Sequence, residues 1–152
     1  MRHIIILAAI ALLAACSKAD EHTITDPESG ESVTLRTAKD ADAGIAPPPN
    51  LPAFAPIYPG ATITATVSGN ADEAKGMVSL VTTDSAEAVL TFYRDKAAAA
   101  GLAEQAEMNM NGTRILTIGG AQGGNAALQI TVSPLEDENK RQITLVYAED
   151  KS

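Results

Sequence analysis

The chain has 152 residues, with 11 Lys+Arg against 19 Asp+Glu, a formal net charge of -8 and only 3 % aromatic residues. That length leaves room for one domain of roughly 100 residues behind a leader, and the acidity argues against nucleic acid as a partner, because such binding rests on basic patches that neutralise phosphates. A single cysteine excludes an intramolecular disulfide, and with no Trp, two Phe and three Tyr the core must be built from Val, Ile, Leu, Ala and Met.

Residues 1–16 read MRHIIILAAIALLAAC. Arg2 supplies the positive start, residues 4–13 the apolar run, and Ala14 and Ala15 the small pair before Cys16, the pattern of a secretory leader. The run is too short to span a bilayer, which takes about 20 apolar residues. Leu13-Ala14-Ala15-Cys16 closely resembles the lipobox of bacterial lipoproteins. The resemblance implies cleavage between Ala15 and Cys16, a diacylglyceryl group on the Cys16 thiol, frequent acylation of the new amine, and a membrane as partner through that lipid. Two or more acyl chains hold durably where one holds marginally, at about 0.8 kcal/mol per buried methylene. The plainer reading is an ordinary secretory leader in which Cys16 is incidental. Ser17 stands where an aspartate favours inner-membrane retention, so the resemblance implies the outer membrane, facing the periplasm.

Residues 16–51 read as an acidic, Pro-rich tether that ends in Ala46-Pro47-Pro48-Pro49-Asn50-Leu51. A triple proline favours extended polyproline geometry, roughly 3.1 Å per residue, which would stand a domain off the headgroups. Within the tether, residues 22–25 and 32–37 alternate small β-formers around the turn cluster Asp26-Pro27-Glu28-Ser29-Gly30-Glu31. A short hairpin and a floppy linker are equally compatible with this pattern, and a hairpin would need a partner surface.

The domain proper is expected over residues 52–148, with 149–152 a tail. Phe54, Ile57 and Tyr58, among prolines, are placed to plug one end of the core. Residues 61–68 (ATITATVS) alternate as a half-buried strand, and residues 77–83 (MVSLVTT) follow a polar turn as its hairpin partner. Asp84 with Glu87 reads as a capping box opening a helix to Ala100, its apolar stripe formed by Ala86, Val89, Leu90, Tyr93, Ala97 and Ala100. Gly101 is its left-handed cap. Residues 103–110 and 113–118 flank Asn111-Gly112, the dipeptide of a tight type I′ turn. A glycine cluster at 119–124 and strands at 126–133 and 141–148 complete the order ββαββββ, an α+β domain of two layers in which one amphipathic helix covers an antiparallel sheet.

The run Ile57-Tyr58-Pro59-Gly60-Ala61, followed by two strands and a glycine-ended helix carrying Phe92-Tyr93-Arg94, resembles a group of small lipoproteins of Gram-negative bacteria. The resemblance covers about two thirds of the chain. It implies a fold and brings no activity.

No catalytic constellation stands out. The only histidine beyond the leader is His22, in the tether, so a Ser-His-acid triad would require that segment to fold into the domain. One such histidine and no free thiol make a zinc site a poor fit. Glu136-Asp137-Glu138 lacks the one-apart oxygens and central glycine of a calcium loop and reads as a solvated turn. Gly119, Gly120, Gly123 and Gly124 invite a phosphate-loop reading, yet no Lys-Ser/Thr follows and the next segment is a strand, so a flexible hairpin loop with a contact surface is preferred. Phe92 and Tyr93 are candidate anchors of a binding groove or, more simply, core.

The sequence therefore points to a non-enzymatic envelope lipoprotein, without cofactor or metal, that acts as a protein-binding or accessory module with an envelope protein as partner. The alternative is a periplasmic binder of a small amphiphile seated between helix and sheet, in a cavity lined by Met77, Leu90 and Tyr93.

Overall fold

The computed structural model describes residues 19–40, 42–70, 74–120, 125–137 and 139–149. Among them run β1 (Ala19–Thr25), β2 (Ser32–Ala38), β3 (Thr62–Ser68), β4 (Ala74–Thr82), α1 (Ala86–Ala99), β5 (Leu102–Met110), β6 (Thr113–Gly120), β7 (Ala126–Pro134) and β8 (Arg141–Glu149). All eight strands form one antiparallel sheet in the order β1-β2-β3-β4-β8-β7-β6-β5. The helix carries the chain from β4 to the far edge, three hairpin steps bring it back, and β8 closes the gap between β4 and β7.

Directly paired residues lie on the same face of a sheet. Val78, Leu145, Ile130 and Leu116 form one such row across four strands, each fully buried. The helix lies on this face over β5, β6 and β7, burying Val89, Leu90, Tyr93 and Ala97. Ala100, the last residue of the expected stripe, is instead exposed, because it lies past the end of the helix as the C-cap. The segment before β3 covers the central strands, with Phe54, Ala55 and Tyr58 buried in the same core.

Local signals account for the ends of these elements. Gly101 has φ +75°, and Asn111 and Gly112 have φ 50° and 84° at the β5–β6 turn, conformations that glycine and asparagine tolerate best. The helix cap differs from expectation. Ser85 is the N-cap, its hydroxyl accepting from the Ala88 amide at 3.2 Å, while Asp84 accepts a 2.7 Å hydrogen bond from the Tyr58 hydroxyl. Tertiary contact with Tyr58 thus takes the aspartate out of the capping role, and the next small polar residue fills it.

Of the two readings open for residues 22–37, the hairpin is the one formed, over residues 19–38, with Asp26 Oδ1 accepting from the Glu28 amide at the turn. Its partner surface is β3, where Leu35 pairs with Val67. The triple proline does not hold the domain at a distance, since it runs beside the sheet with Pro48 buried. Gly119 and Gly120 belong to β6, Gly119 being paired with Ala103 on one side and Ala127 on the other, so they are strand and not loop.

Candidate functional site

One helix cannot cover eight strands. A 14-residue helix is about 21 Å long, whereas eight strands spaced about 4.8 Å apart span roughly 34 Å. The helix-side face is therefore closed over β4 and β6–β8 and open at the β1–β2–β3 end. There the strap formed by residues 42–50 crosses it, fixed where the Ile45 amide donates to the Ile63 carbonyl oxygen at 3.0 Å.

The strap leaves a cleft of about 640 Å³ against β1, β2 and β3. Ile45, Ile57, Ile63 and Ala61 supply apolar wall, while Glu21, Arg36 and Asp42 supply charge. A second, smaller cleft of about 190 Å³, bounded by Pro48, Pro49, Asn50, Thr66 and Ser68, shares Glu21 and Arg36 with the first. Arg36 and Glu21 are registered opposite each other across the hairpin and pair at 2.5 Å from guanidinium Nε to carboxylate. The pair is partly exposed, so it contributes little stability. Its value is positional: it sets a guanidinium, whose remaining donors suit a carboxylate or phosphate, between the two clefts.

Ala19 also lines the larger cleft. It is three residues beyond Cys16, a stretch of chain that spans at most about 11 Å. The cleft thus lies at the end of the sheet where the described chain begins, at Ala19.

The remaining candidate residues fall elsewhere. Tyr93 is fully buried and its hydroxyl donates to the Pro56 carbonyl oxygen at 3.0 Å, which makes it core. Burial pushes its phenol well above the ordinary value, with the neighbouring Tyr58 adding to the effect. Phe92, half-buried, stands edge-on to Tyr58 and to Tyr93 with ring centroids 5.2 and 5.1 Å away, and Lys96 lies over its ring at 5.5 Å. Tyr58 itself is pushed up to about 12, by burial first and then by its hydrogen bond to Asp84. None of these aromatics lines the cleft. Ala15, Cys16, Gly123 and Gly124 lie outside the described residues.

The cavity expected between Met77, Leu90 and Tyr93 is not formed by those residues. Leu90 and Tyr93 are fully buried on the helix side, whereas Met77, one position from the core residue Val78, points to the other face of the sheet. Among the described residues no group of three or more His, Cys, Asp or Glu is placed to hold a metal ion. Arg36, Glu21, Ile45 and Ile63 were missed as site residues. The signal available for the first two was the hairpin register, since a turn centred on residues 26–31 sets residue 21 opposite residue 36.

Residues 63–145, more than half the chain, match the sequence model of a START domain-like family. The chain belongs to this family. The match begins in β3 and ends in β8, so it contains the helix and the closed part of the sheet, and the hairpin β1–β2 precedes it. No curated protein and no solved structure matches this START domain-like chain.

Proposed function

We propose that this START domain-like chain is a non-enzymatic binding module, held on the outer membrane through lipid on Cys16, that takes up a small amphiphile in the cleft beneath the strap. The observation that carries the reading is that the cleft's wall includes Ala19, within about 11 Å of chain from the anchoring cysteine. A molecule leaving the bilayer surface would meet this opening first. A volume of about 640 Å³ is in the range of small-molecule sites, with isoleucines for an apolar tail and Arg36 for an acidic head. Family membership supports a ligand-binding role in the same sense. In this reading the amphiphile lies at the hairpin end of the sheet and not beneath the helix.

The test uses the full chain, extracted from bacterial membranes in mild detergent and analysed by native mass spectrometry. The expected result is an amphiphile that co-purifies with the wild-type chain and is lost from Ile45→Trp, which fills the cleft. Equal amounts bound to both, or none bound to either, would sink the cleft as the site. The anchor is checked separately: Cys16→Ser should abolish incorporation of labelled palmitate, and labelling that survives would remove the lipoprotein part of the reading.

A further inference from the structure

The face of the sheet opposite the helix carries no layer of this chain among the described residues. Pairing register places Ile24, Val33, Leu35, Val67, Met77, Val146, Met108 and Met110 on it. All six exposed large hydrophobic residues of the described chain belong to this set, from Ile24 at 76 % to Leu35 at 40 %. Leu35, Val67, Met77 and Val146 are in direct register across four adjacent strands, so they form one continuous apolar row. At the β1 edge the row ends on His22, opposite Leu35, and the pair Ile24–Val33 flanks it on the same face.

Charge is distributed the opposite way. The chain has a net charge of -8, yet the strand charges Glu21, Arg36, Glu104, Glu107 and Arg114 all register with the helix-side face. On the open face the strand residues carry only Asp20, which pairs with Lys39 at 3.4 Å, and Lys75. Two copies of so acidic a chain repel each other in most orientations. Brought together open face to open face, they set apolar rows and hydroxyl side chains against each other and keep most carboxylates outside.

We infer that the open sheet face is the seat of a second copy of this chain, packed sheet on sheet. Eight strands about 4.8 Å apart and seven to nine residues long at about 3.3 Å each offer roughly 850 Å² per copy. Pairing would bury about 1,700 Å² in total, the size of a standard stable interface. An isologous contact also suits a row that runs across the sheet, because a two-fold axis near its middle brings Leu35 of one copy towards Val146 of the other. The inference rests on the sheet face alone and is independent of what the cleft binds.

The test is thiol crosslinking of the full chain in its native membrane. Met77→Cys places a thiol on the open face beside the two-fold axis and Ala98→Cys one on the exposed side of the helix, with the parental chain reporting any reaction at Cys16. A membrane-permeant bismaleimide with an arm of about 10 Å, matched to the spacing of stacked sheets, is the crosslinker. The expected result is an adduct of two chains from Met77→Cys alone, reduced about tenfold by adding Leu35→Lys, which is equivalent to ~1.4 kcal/mol. Thermal unfolding of Leu35→Lys verifies that the fold persists. Should that variant fail to fold, Val33→Lys, at a half-exposed site in the same patch, replaces it. Equal adducts from both cysteine variants, no adduct, or an adduct containing a different protein would each overturn the inference.

Discussion

The two ends of the sheet's helix-side face differ in what covers them. Over β4 and β6–β8 the helix and the aromatic segment before β3 close the surface, and Leu80, Leu90, Leu116 and Ile143 are all fully buried, whereas β5 at the far edge is exposed beyond Leu102. Over β1–β3 only the strap crosses, leaving a cleft walled by half-buried Ile45 and Ile57 and by buried Ile63. The closed end stabilises the fold through dry packing, while the open end has surface to spare for something else. A single helix on a wide sheet creates this division, because its length and width reach only some of the strands.

The comparison predicts unequal costs for similar truncations. Leu90→Ala, at the centre of the closed end, should lower the unfolding free energy by about 2–5 kcal/mol through lost burial and a residual cavity. Ile45→Ala in the cleft wall should cost only about 1 kcal/mol, since that side chain is half-solvated already. Urea titration of the two variants is the check, and equal losses would mean that the strap is as much core as the helix.

A smaller effect concerns how the helix is held. Ser85→Ala should cost about 1 kcal/mol by leaving the Ala88 amide without its acceptor. Asp84→Ala should act through Tyr58 instead, by removing the acceptor of its hydroxyl. Combining Asp84→Ala with Tyr58→Phe should therefore cost less than the sum of the two single changes, whereas Ser85→Ala should add independently to either.

The smallest expected effect appears in alkali. The Tyr58 phenol has an ordinary value of 10.0 and is pushed up to about 12 in the folded chain. The fold thus binds the phenolic proton more tightly than the unfolded chain does. Stability from this group is complete below pH 10 and declines as pH rises from 10 to about 12. Tyr58→Phe should flatten part of that decline in thermal melts run across the window. Some decline should remain, because Tyr93 and Tyr147 are also raised by burial.

The surface ions of the closed end give a useful contrast. Arg94 pairs with Glu87, Glu104 and Glu107, and Arg114 with Glu87 and Glu107, so one cluster links the helix to β5 and β6. Hydrogen bonding to Arg114 holds Glu107 below the usual carboxylate range, with the nearby charges of Arg114 and Arg94 adding to it. This cluster orients the helix over the edge strands at a site open to solvent, where salt screens it. The hydrophobic stripe beneath it carries the larger energy.

Much of the secondary structure was legible because it is locally encoded. Alternation in residues 61–68, the three- and four-residue spacing of Val89, Leu90, Tyr93 and Ala97, and the turn chemistry of Asn111-Gly112 act over a few residues and hold whatever the chain packs against. Gly76 shows where local reading stops. It read as the end of a polar turn, yet it lies within β4, where a Cβ would stand 2.5 Å from the Val67 carbonyl oxygen and 2.6 Å from the Tyr147 hydroxyl. Only the neighbouring strands explain that glycine, and one of them arrives about seventy residues later in the chain.

The sequence by itself determined the helix, the turns and the strands of residues 62–149, apart from their exact ends. Tertiary structure alone decided that β8 inserts between β4 and β7, that the hairpin of residues 19–38 extends the sheet, and that the strap and hairpin enclose a cleft. Periodicity tells which residues of a strand share a face, whereas the neighbour that faces them is chosen by burial over the whole sheet. Such a choice has no signature within any one segment.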